Sequence, residues 1–343
     1  MSGSSSPEID AFTFGEDGYF YDPLGQPCVL MGAVEFSNFW HHLDAAFESP
    51  LGRKLIYAAT DAEERVISKH PSLRFGRWFG KAKVRRRLQE RAKEMGWGRF
   101  EEGHISAPVH DGLTVGFSLA HHEHLHQQRS TVEWNQMSAD TIHLTFDAKQ
   151  DPLIPAPAPQ FLPWFGSDHQ GHFSGVIDLN LEIRSNVFFN AEERSFFVSN
   201  HVFFHLIESL LGRPMAKETS RSFRLGIDAS YEHADVLESV ILAASSAFLS
   251  GDRPVYIQAP SDWAGHFSAR LTERGFGAVR VEQSILEGHD SSVFIVKSPV
   301  APLAIGQLIG MWQRAHGAVG DVRIEPAVEG IRVSLNLPRV EYP

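Results

Sequence analysis

The spacing of apolar residues changes several times along the chain, and each change marks an element. Phe14, Tyr19, Phe20 and Tyr21 flank the turn formers Gly15, Asp17 and Gly18, and Asp22-Pro23 with Gly25 supplies a second turn. Phe12 to Met31 therefore reads as a strand pair. Phe36, Phe39, Trp40, Leu43, Ala46 and Phe47 then recur at helical spacing on one face, and Pro50 ends the run. Leu51 to Ser68 predicts a second helix, with Ser49 near its start as a cap. Val84, Leu88, Ala92 and Met95 place a stripe on a third, Lys81 to Met95, stopped by Gly96. Leu113, Val115, Phe117 and Leu119 alternate, which predicts a hairpin over Phe100 to Ala120 turning at His110-Asp111-Gly112. Thr141 to Asp147 alternates likewise. Five prolines between Pro152 and Pro163 then make a stiff connector.

Beyond the connector, Val176 to Ile183 and Ser195 to Val198 read as strands. Asn200 to Leu211 reads as a helix closed by Gly212, and Phe223, Leu225 and Ile227 read as a strand. The last third predicts a helix (Val236 to Leu249), a short strand (Val255 to Gln258) and another helix (Asp262 to Arg274). A hairpin (Val279 to Val281 with Val293 to Val296), a helix (Leu303 to His316) and a closing hairpin (Val322 to Ile324 with Ile331 to Leu337) follow. The expected fold is α/β of the α+β kind: antiparallel sheets packed with helices in two related lobes. A tail over 1–10 precedes an α/β unit over 11–230 with a His- and Pro-rich insertion at 121–175, and a second α/β unit covers 231–343.

The relation between lobes rests on an internal echo. Glu94-Met95-Gly96-Trp97-Gly98-Arg99-Phe100 is matched by Glu273-Arg274-Gly275-Phe276-Gly277-Ala278-Val279, each after an amphipathic helix and before a hairpin. His110-Asp111 recurs at the same spacing as His289-Asp290, and Ser199 to Arg213 resembles Ser298 to Arg314. Either duplication or convergence on a common helix–hairpin unit gives this pattern.

Composition narrows the function. The 343 residues are 43% hydrophobic and 21% charged, enough for a proper core and for two domains. A net charge of -11 disfavours general nucleic-acid binding. Cys28 is the only cysteine, so one chain forms no internal disulfide, cysteine-rich zinc site or iron–sulfur cluster. That fits a reducing, cytoplasmic location. The Ser-rich start lacks the basic and apolar regions of a signal peptide, and no apolar run approaches the ~18 residues of a membrane span.

Three clusters are candidates for chemistry. If the strand before it continues, His121-His122-Glu123-His124-Leu125-His126 places His122, His124 and His126 on one face, where neutral imidazoles can ligate zinc or iron; a solvated strand end gives the same pattern. His201, His205 and Glu208 share the polar face of a helix and form a second divalent-metal set, or an ordinary exposed face. Asp168-His169-Gln170-Gly171-His172 adds two imidazoles in a loop. A basic run including Arg85, Arg86, Arg87 and Arg91, with Trp78 interleaved, makes a local positive patch suited to an acidic partner, an anionic membrane surface or a phosphorylated ligand. GxSxG, GxxxxGK[ST] and strand-linked GxGxxG motifs are absent.

Gln26 to Met31, Val34 to Phe47, Leu51-Gly52-Arg53-Lys54 and Gly96-Trp97-Gly98, with a closing part from Asn200 to Ile227, resemble the vinyl-reductase-type ligand-binding domain related to TRAPP vesicle-tethering subunits. The closing part includes Leu211-Gly212-Arg213-Pro214-Met215 and Glu218-Thr219. The family often carries cysteines there, whereas Ser220 and its neighbours hold none. Arg253 to Ile257 and Leu271 to Phe276 resemble the C-terminal half of a GNAT acyltransferase core, without its Gly-rich pyrophosphate loop. The first resemblance implies a non-catalytic small-molecule-binding, sensing or assembly protein with a protein partner or a second copy of itself, and a hydrophobic or anionic small molecule as ligand. The rival reading is a metal-dependent hydrolase or oxygen-using enzyme with a histidine site.

Overall fold

Val29, Leu30 and Met31, and later Phe196, Phe197 and Val198, are runs of consecutive buried apolar residues, the pattern of strands covered on both faces. They lie at the centre of the protein. The computed structural model describes residues 11–75, 80–160, 162–165, 179, 181–184, 187–190, 192–216, 223–286 and 290–338. Its first half runs β1 (Thr13–Phe14), β2 (Phe20–Tyr21), β3 (Pro27–Gly32), α1 (Ala33–Ala45), α2 (Lys54–Lys69), α3 (Gly80–Glu94), β4 (Arg99–Glu101), β5 (His104–Ser106), α4 (Asp111–His126), β6 (Ser130–Ser138) and β7 (Thr141–Ala148). Its second half runs β8 (Glu182–Arg184), β9 (Val187–Asn190), β10 (Glu193–Ser199), α5 (Asn200–Glu208), β11 (Arg224–Ile227), α6 (Ala234–Leu249), α7 (Asp262–Arg270), β12 (Ala278–Ile285), β13 (Ser291–Lys297), α8 (Ala301–His316), β14 (Asp321–Ala327) and β15 (Gly330–Asn336).

Apart from β11, the two halves have the same order of elements. One four-stranded sheet is ordered β4-β5-β7-β6, and the corresponding strands of the other are ordered β12-β13-β15-β14, with β11 added in parallel beyond β14. The central sheet is ordered β1-β2-β3-β10-β9-β8, a palindrome. β3 and β10 pair antiparallel, Cys28 with Ser199, Leu30 with Phe197 and Gly32 with Ser195. A two-fold axis at the Leu30–Phe197 pair therefore relates the halves, as it would two subunits of an isologous dimer.

The halves are interlocked across this axis. α1 packs on α6, and α5 packs on α2. The turn at Gly96 lies against Phe188 and Phe196 of the second half, whereas that at Gly275 lies against Phe20 and the Cys28 carbonyl of the first. Met95 O accepts from Phe197 N at 2.8 Å, and Gly18 O accepts from Gly277 N at 2.9 Å. The Gly-aromatic-Gly turns correspond closely. Trp97 N donates to Ala92 O and Phe276 N to Leu271 O, both at 2.9 Å, and all four glycines have positive φ. Buried Val84, Leu88, Ala92 and Trp97 match buried Trp263, Phe267, Leu271 and Phe276.

Several expectations change. Phe100 to Ala120 is not one hairpin: β4 and β5 are short, and Asp111 opens α4. α4 alternates large and small residues because it is buried nearly all round, and Gly116 and Thr114 serve its contact faces as fully as Phe117. His110-Asp111 is thus a helix start, whereas Asp290 directly precedes β13 and His289 lies outside the described residues, so this part of the echo fails. The counterpart of α8 is α4, not α5, which instead corresponds to α1. Val255 to Gln258 forms no strand. Residues 121–148 close α4 and form β6 and β7, half of the first four-stranded sheet. Most of Val176 to Ile183 lies outside the described residues. Among the described residues, no helix is long and apolar enough to cross a membrane.

Candidate functional site

α3 buries Val84, Leu88 and Ala92 and turns Lys81, Lys83 and Arg86 to solvent. Arg91 belongs to the buried face. Its guanidinium donates through Nη1 to Asp22 Oδ2 at 2.8 Å, and through Nε and Nη2 to Glu63 at 2.7 and 3.0 Å. It lies over the Trp97 ring, and His121 Nε2 is 3.1 Å from Glu63 Oε1. Burial pushes the Glu63 carboxyl up, but Arg91 and His121 outweigh it and hold the group below the usual carboxylate range. The expected docking role of Arg91 is therefore corrected: the residue is a buried structural cation, 1% exposed.

The rest of the basic run stays near the surface. Arg86 pairs with Glu90 at 2.8 Å, Arg87 with Glu94 at 2.6 Å, Arg85 with Glu102 at 3.5 Å and Arg99 with Glu101 at 3.1 Å. Such solvated pairs neutralise weakly. Trp78 lies outside the described residues. Two adjoining cavities, about 570 and 250 Å³, share Gln89, Phe100 and Glu101. Together they form a groove between α3, the β4–β5 hairpin and α4. Arg85, Arg86, Lys93 and Arg99 contribute cations and Glu90, Glu101 and Glu102 carboxylates, while Leu88, Phe100, Leu125 and Phe146 contribute apolar surface.

The histidines are arranged by helix period, not strand period. His122 and His126, one turn apart, stack with ring centroids 4.3 Å apart, and His122 also stacks on Phe146. Both line the smaller cavity. His124 points elsewhere, with Nε2 2.9 Å from Leu73 O and its ring stacked on Phe75. The expected common face of His122, His124 and His126 is thereby corrected. Burial, then the neighbouring His126, lowers His122 to about 4, so its ring is neutral at pH 7.

On α5, His205 is buried, with Nδ1 3.9 Å from Glu208 and Nε2 unpartnered among the described residues. Burial, then His201, lowers it to about 4. His201 packs edge-on against Phe204. Among the described residues, no three His, Cys, Asp or Glu side chains are grouped to hold a metal ion. The structure therefore does not gather His122, His124, His126, His201, His205 and Glu208 into one centre. Asp168 to His172 lies outside the described residues. Cys28 is fully buried, and burial pushes its thiol well up, which suits a core residue and not a nucleophile.

Sequence reasoning found the cations of the groove but missed Gln89 of α3 itself and Phe100, Glu101 and Phe146, which the β4–β5 hairpin and β7 bring to α3. The missed signal was Glu102-Gly103, a hairpin turn four residues after Gly98. The internal two-fold supplies a control for the cations. The α7-side positions matching Lys81, Lys83, Arg85, Arg86, Arg87 and Lys93 hold Pro260, Asp262, Ala264, Gly265, His266 and Thr272. The second half builds the same helix–turn–hairpin without a lysine or arginine at any of them. No protein-family model matches this chain, no curated protein matches it and no solved structure matches it.

Proposed function

We propose that the protein is a non-catalytic binding and assembly module that docks an acidic, partly apolar protein segment in the groove along α3. One observation carries this reading: the second half keeps buried Trp263, Phe267 and Leu271 at the positions of Val84, Leu88 and Ala92 with no lysine or arginine where the exposed α3 cations stand, so the buried face does not need those cations. An apolar floor beside a cationic rim suits an extended or helical segment whose apolar side chains insert while its carboxylates meet the arginines. The groove lining holds one cation more than carboxylates in a protein of net charge -11, which favours oriented encounter with an acidic segment. The resemblance to vinyl-reductase-type binding domains points to the same functional class.

A random-peptide display selection against the full chain tests the proposal. Enriched peptides should combine Asp or Glu with apolar anchors. Joint Arg86→Glu and Arg99→Glu substitution should weaken their binding about tenfold or more, chiefly through association rate, without changing the thermal midpoint. Enrichment of basic or neutral peptides, no enrichment, or binding that survives the charge reversal would overturn it.

A further inference from the structure

Arg91 and Arg270 occupy equivalent positions, each directly before the residue whose carbonyl receives the turn aromatic, Ala92 or Leu271. Their surroundings differ. Arg91 is met by Glu63 from α2 and by Asp22 from the tip of the β2–β3 hairpin. That hairpin closes at Tyr21 and Pro27, and its tip, Asp22 to Gln26, also buries Leu24 against Val66, Ile67, Leu73, Val84, Leu88 and Ala120. The equivalent β9–β10 hairpin closes at Asn190 and Glu193, so its tip is three residues shorter. On α6, Phe248 stands where α2 has Glu63. Among the described residues, that tip offers only Glu192 where the first half has Leu24, and α6 has no carboxylate at the position of Glu63.

A cleft of about 500 Å³ lies beside Arg270, lined by Asn190, Glu193, Ser195, Arg253, Arg270 and Arg274, with Leu179 and Leu181 as an apolar wall. Arg253 donates to Glu35 at 2.9 Å and also to Glu193. Arg274 donates through Nη2 to Glu35 at 2.7 Å, and Gln307 completes that carboxylate at 3.0 Å. Arg274 is 4% exposed, and its Nη1 has no partner among the described residues. Arg270 makes no hydrogen bond or ion pair among the described residues. Burial, then repulsion from Arg253 and Arg274, lowers its pKa, whereas Glu35 and Glu193 oppose the shift. Exposed Asp252, and Glu273, which accepts from Ser268 Oγ at 2.9 Å, complete the charged lining. Arg253 and Arg274 therefore share Glu35 and Glu193 and leave Arg270 without a hydrogen-bonded carboxylate among the described residues, while the buried Nη1 of Arg274 is costly without an acceptor.

We infer that this cleft binds a small carboxylate bearing a short aliphatic group. Its carboxylate sits between Arg270 and Nη1 of Arg274, as Asp22 sits on Arg91, and its aliphatic part lies against Leu179 and Leu181. The bound molecule links β10 to α7, two elements of the second half.

Calorimetric titration of the full chain with isocaproate, its neutral amide isocaproamide, and inorganic phosphate tests the inference. Isocaproate should bind saturably at one site per chain, with the amide weaker by about tenfold or more. Arg270→Gln should weaken isocaproate to a similar degree without moving the ligand-free thermal midpoint, while the Arg86→Glu/Arg99→Glu variant binds it normally. That last arm separates this site from the α3 groove. Absence of saturable isocaproate binding, an amide as tight as the acid, phosphate tighter than the acid, or indifference to Arg270→Gln would each overturn the inference.

Discussion

Arg91 sits in a run of cations that reads as a solvated helix face, yet it is the most thoroughly buried charge of the run. Its guanidinium is tolerated there because Asp22 and Glu63 supply acceptors and Trp97 covers its plane. Removing the cation strands two carboxylates with 0% and 1% side-chain exposure. Arg91→Met should therefore lower unfolding stability by about 3–5 kcal/mol in urea titrations. Adding Asp22→Asn and Glu63→Gln to Arg91→Met should recover much of that loss, because neutral amides are less costly to bury than unpaired carboxylates. A triple variant no more stable than Arg91→Met would show that packing of the long side chain, not charge pairing, is what the site needs. Nothing local marks this residue, since its partners lie 69 and 28 positions away. The same limit applies to His124, whose separation from His122 and His126 follows from a helix where an alternating apolar pattern suggested a strand.

Elements with a clean apolar period were legible. α1, α2, α3, α6, α8 and the closing hairpin all fall where the spacing of Phe36, Leu88, Val236 and their neighbours places them. α4 was not legible, because a helix contacted on all sides has no polar face to reveal its period. β6 was missed for a different reason: its outward residues are polar, and only Val132 and Trp134 mark the inner face along its length. Comparison with β14 explains how that strand survives at an edge. β11 covers β14, whereas on β6 Glu123 Oε1 accepts from Ser130 N at 2.6 Å and Arg53 donates to Val132 O at 3.0 Å. The groove was half legible, since its cations are local to α3 but its floor is assembled from α3, β4, α4 and β7. Two helix crossings make the element-scale prediction. A Cβ at Gly116 would meet Ile56 O at 2.4 Å and Ala59 Cβ at 2.7 Å, and one at Gly306 would meet Ile241 O at 2.4 Å and Ala244 Cβ at 2.5 Å. Gly116→Ala and Gly306→Ala should each destabilise by about 1–3 kcal/mol in chemical denaturation, although alanine is the better helix former. Stabilisation by either would mean that the α2–α4 or α6–α8 contact is looser than its geometry.

At the scale of the whole molecule, the interlocked halves bury many ionisable groups, and their proton balance sets the acid limit of the fold. Burial is the first cause lowering His42, His110, His122, His124, His126, His205 and His316, with His110, His122 and His205 all at about 4. Unfolded histidines titrate near about 6.5, so below that pH the unfolded chain binds more protons than the fold does at these positions. Their contribution to stability is full above the unfolded value and is lost as pH falls towards the folded one. Asp61 and Glu64 act with the opposite sign. Burial raises them to about 6 and about 7 against the opposing pull of Arg129, so the fold takes up their protons first and gains stability on acidification. Seven lowered histidines outnumber three raised carboxylates, Asp111 being the third, and the urea midpoint should therefore fall as pH drops from about 6.5 towards about 5. The lowered carboxyls of Glu35 and Glu63 add a further loss at lower pH, as their ion pairs with Arg274, Arg253 and Arg91 are protonated away. Joint Asp61→Asn and Glu64→Gln substitution removes the opposing uptake and should make the fall between about pH 6.5 and 5 steeper. A midpoint that rises on acidification, or a slope the double substitution leaves unchanged, would mean that the imidazoles are solvated and that the two halves enclose them less tightly than their contacts with Phe146, Trp312 and one another indicate.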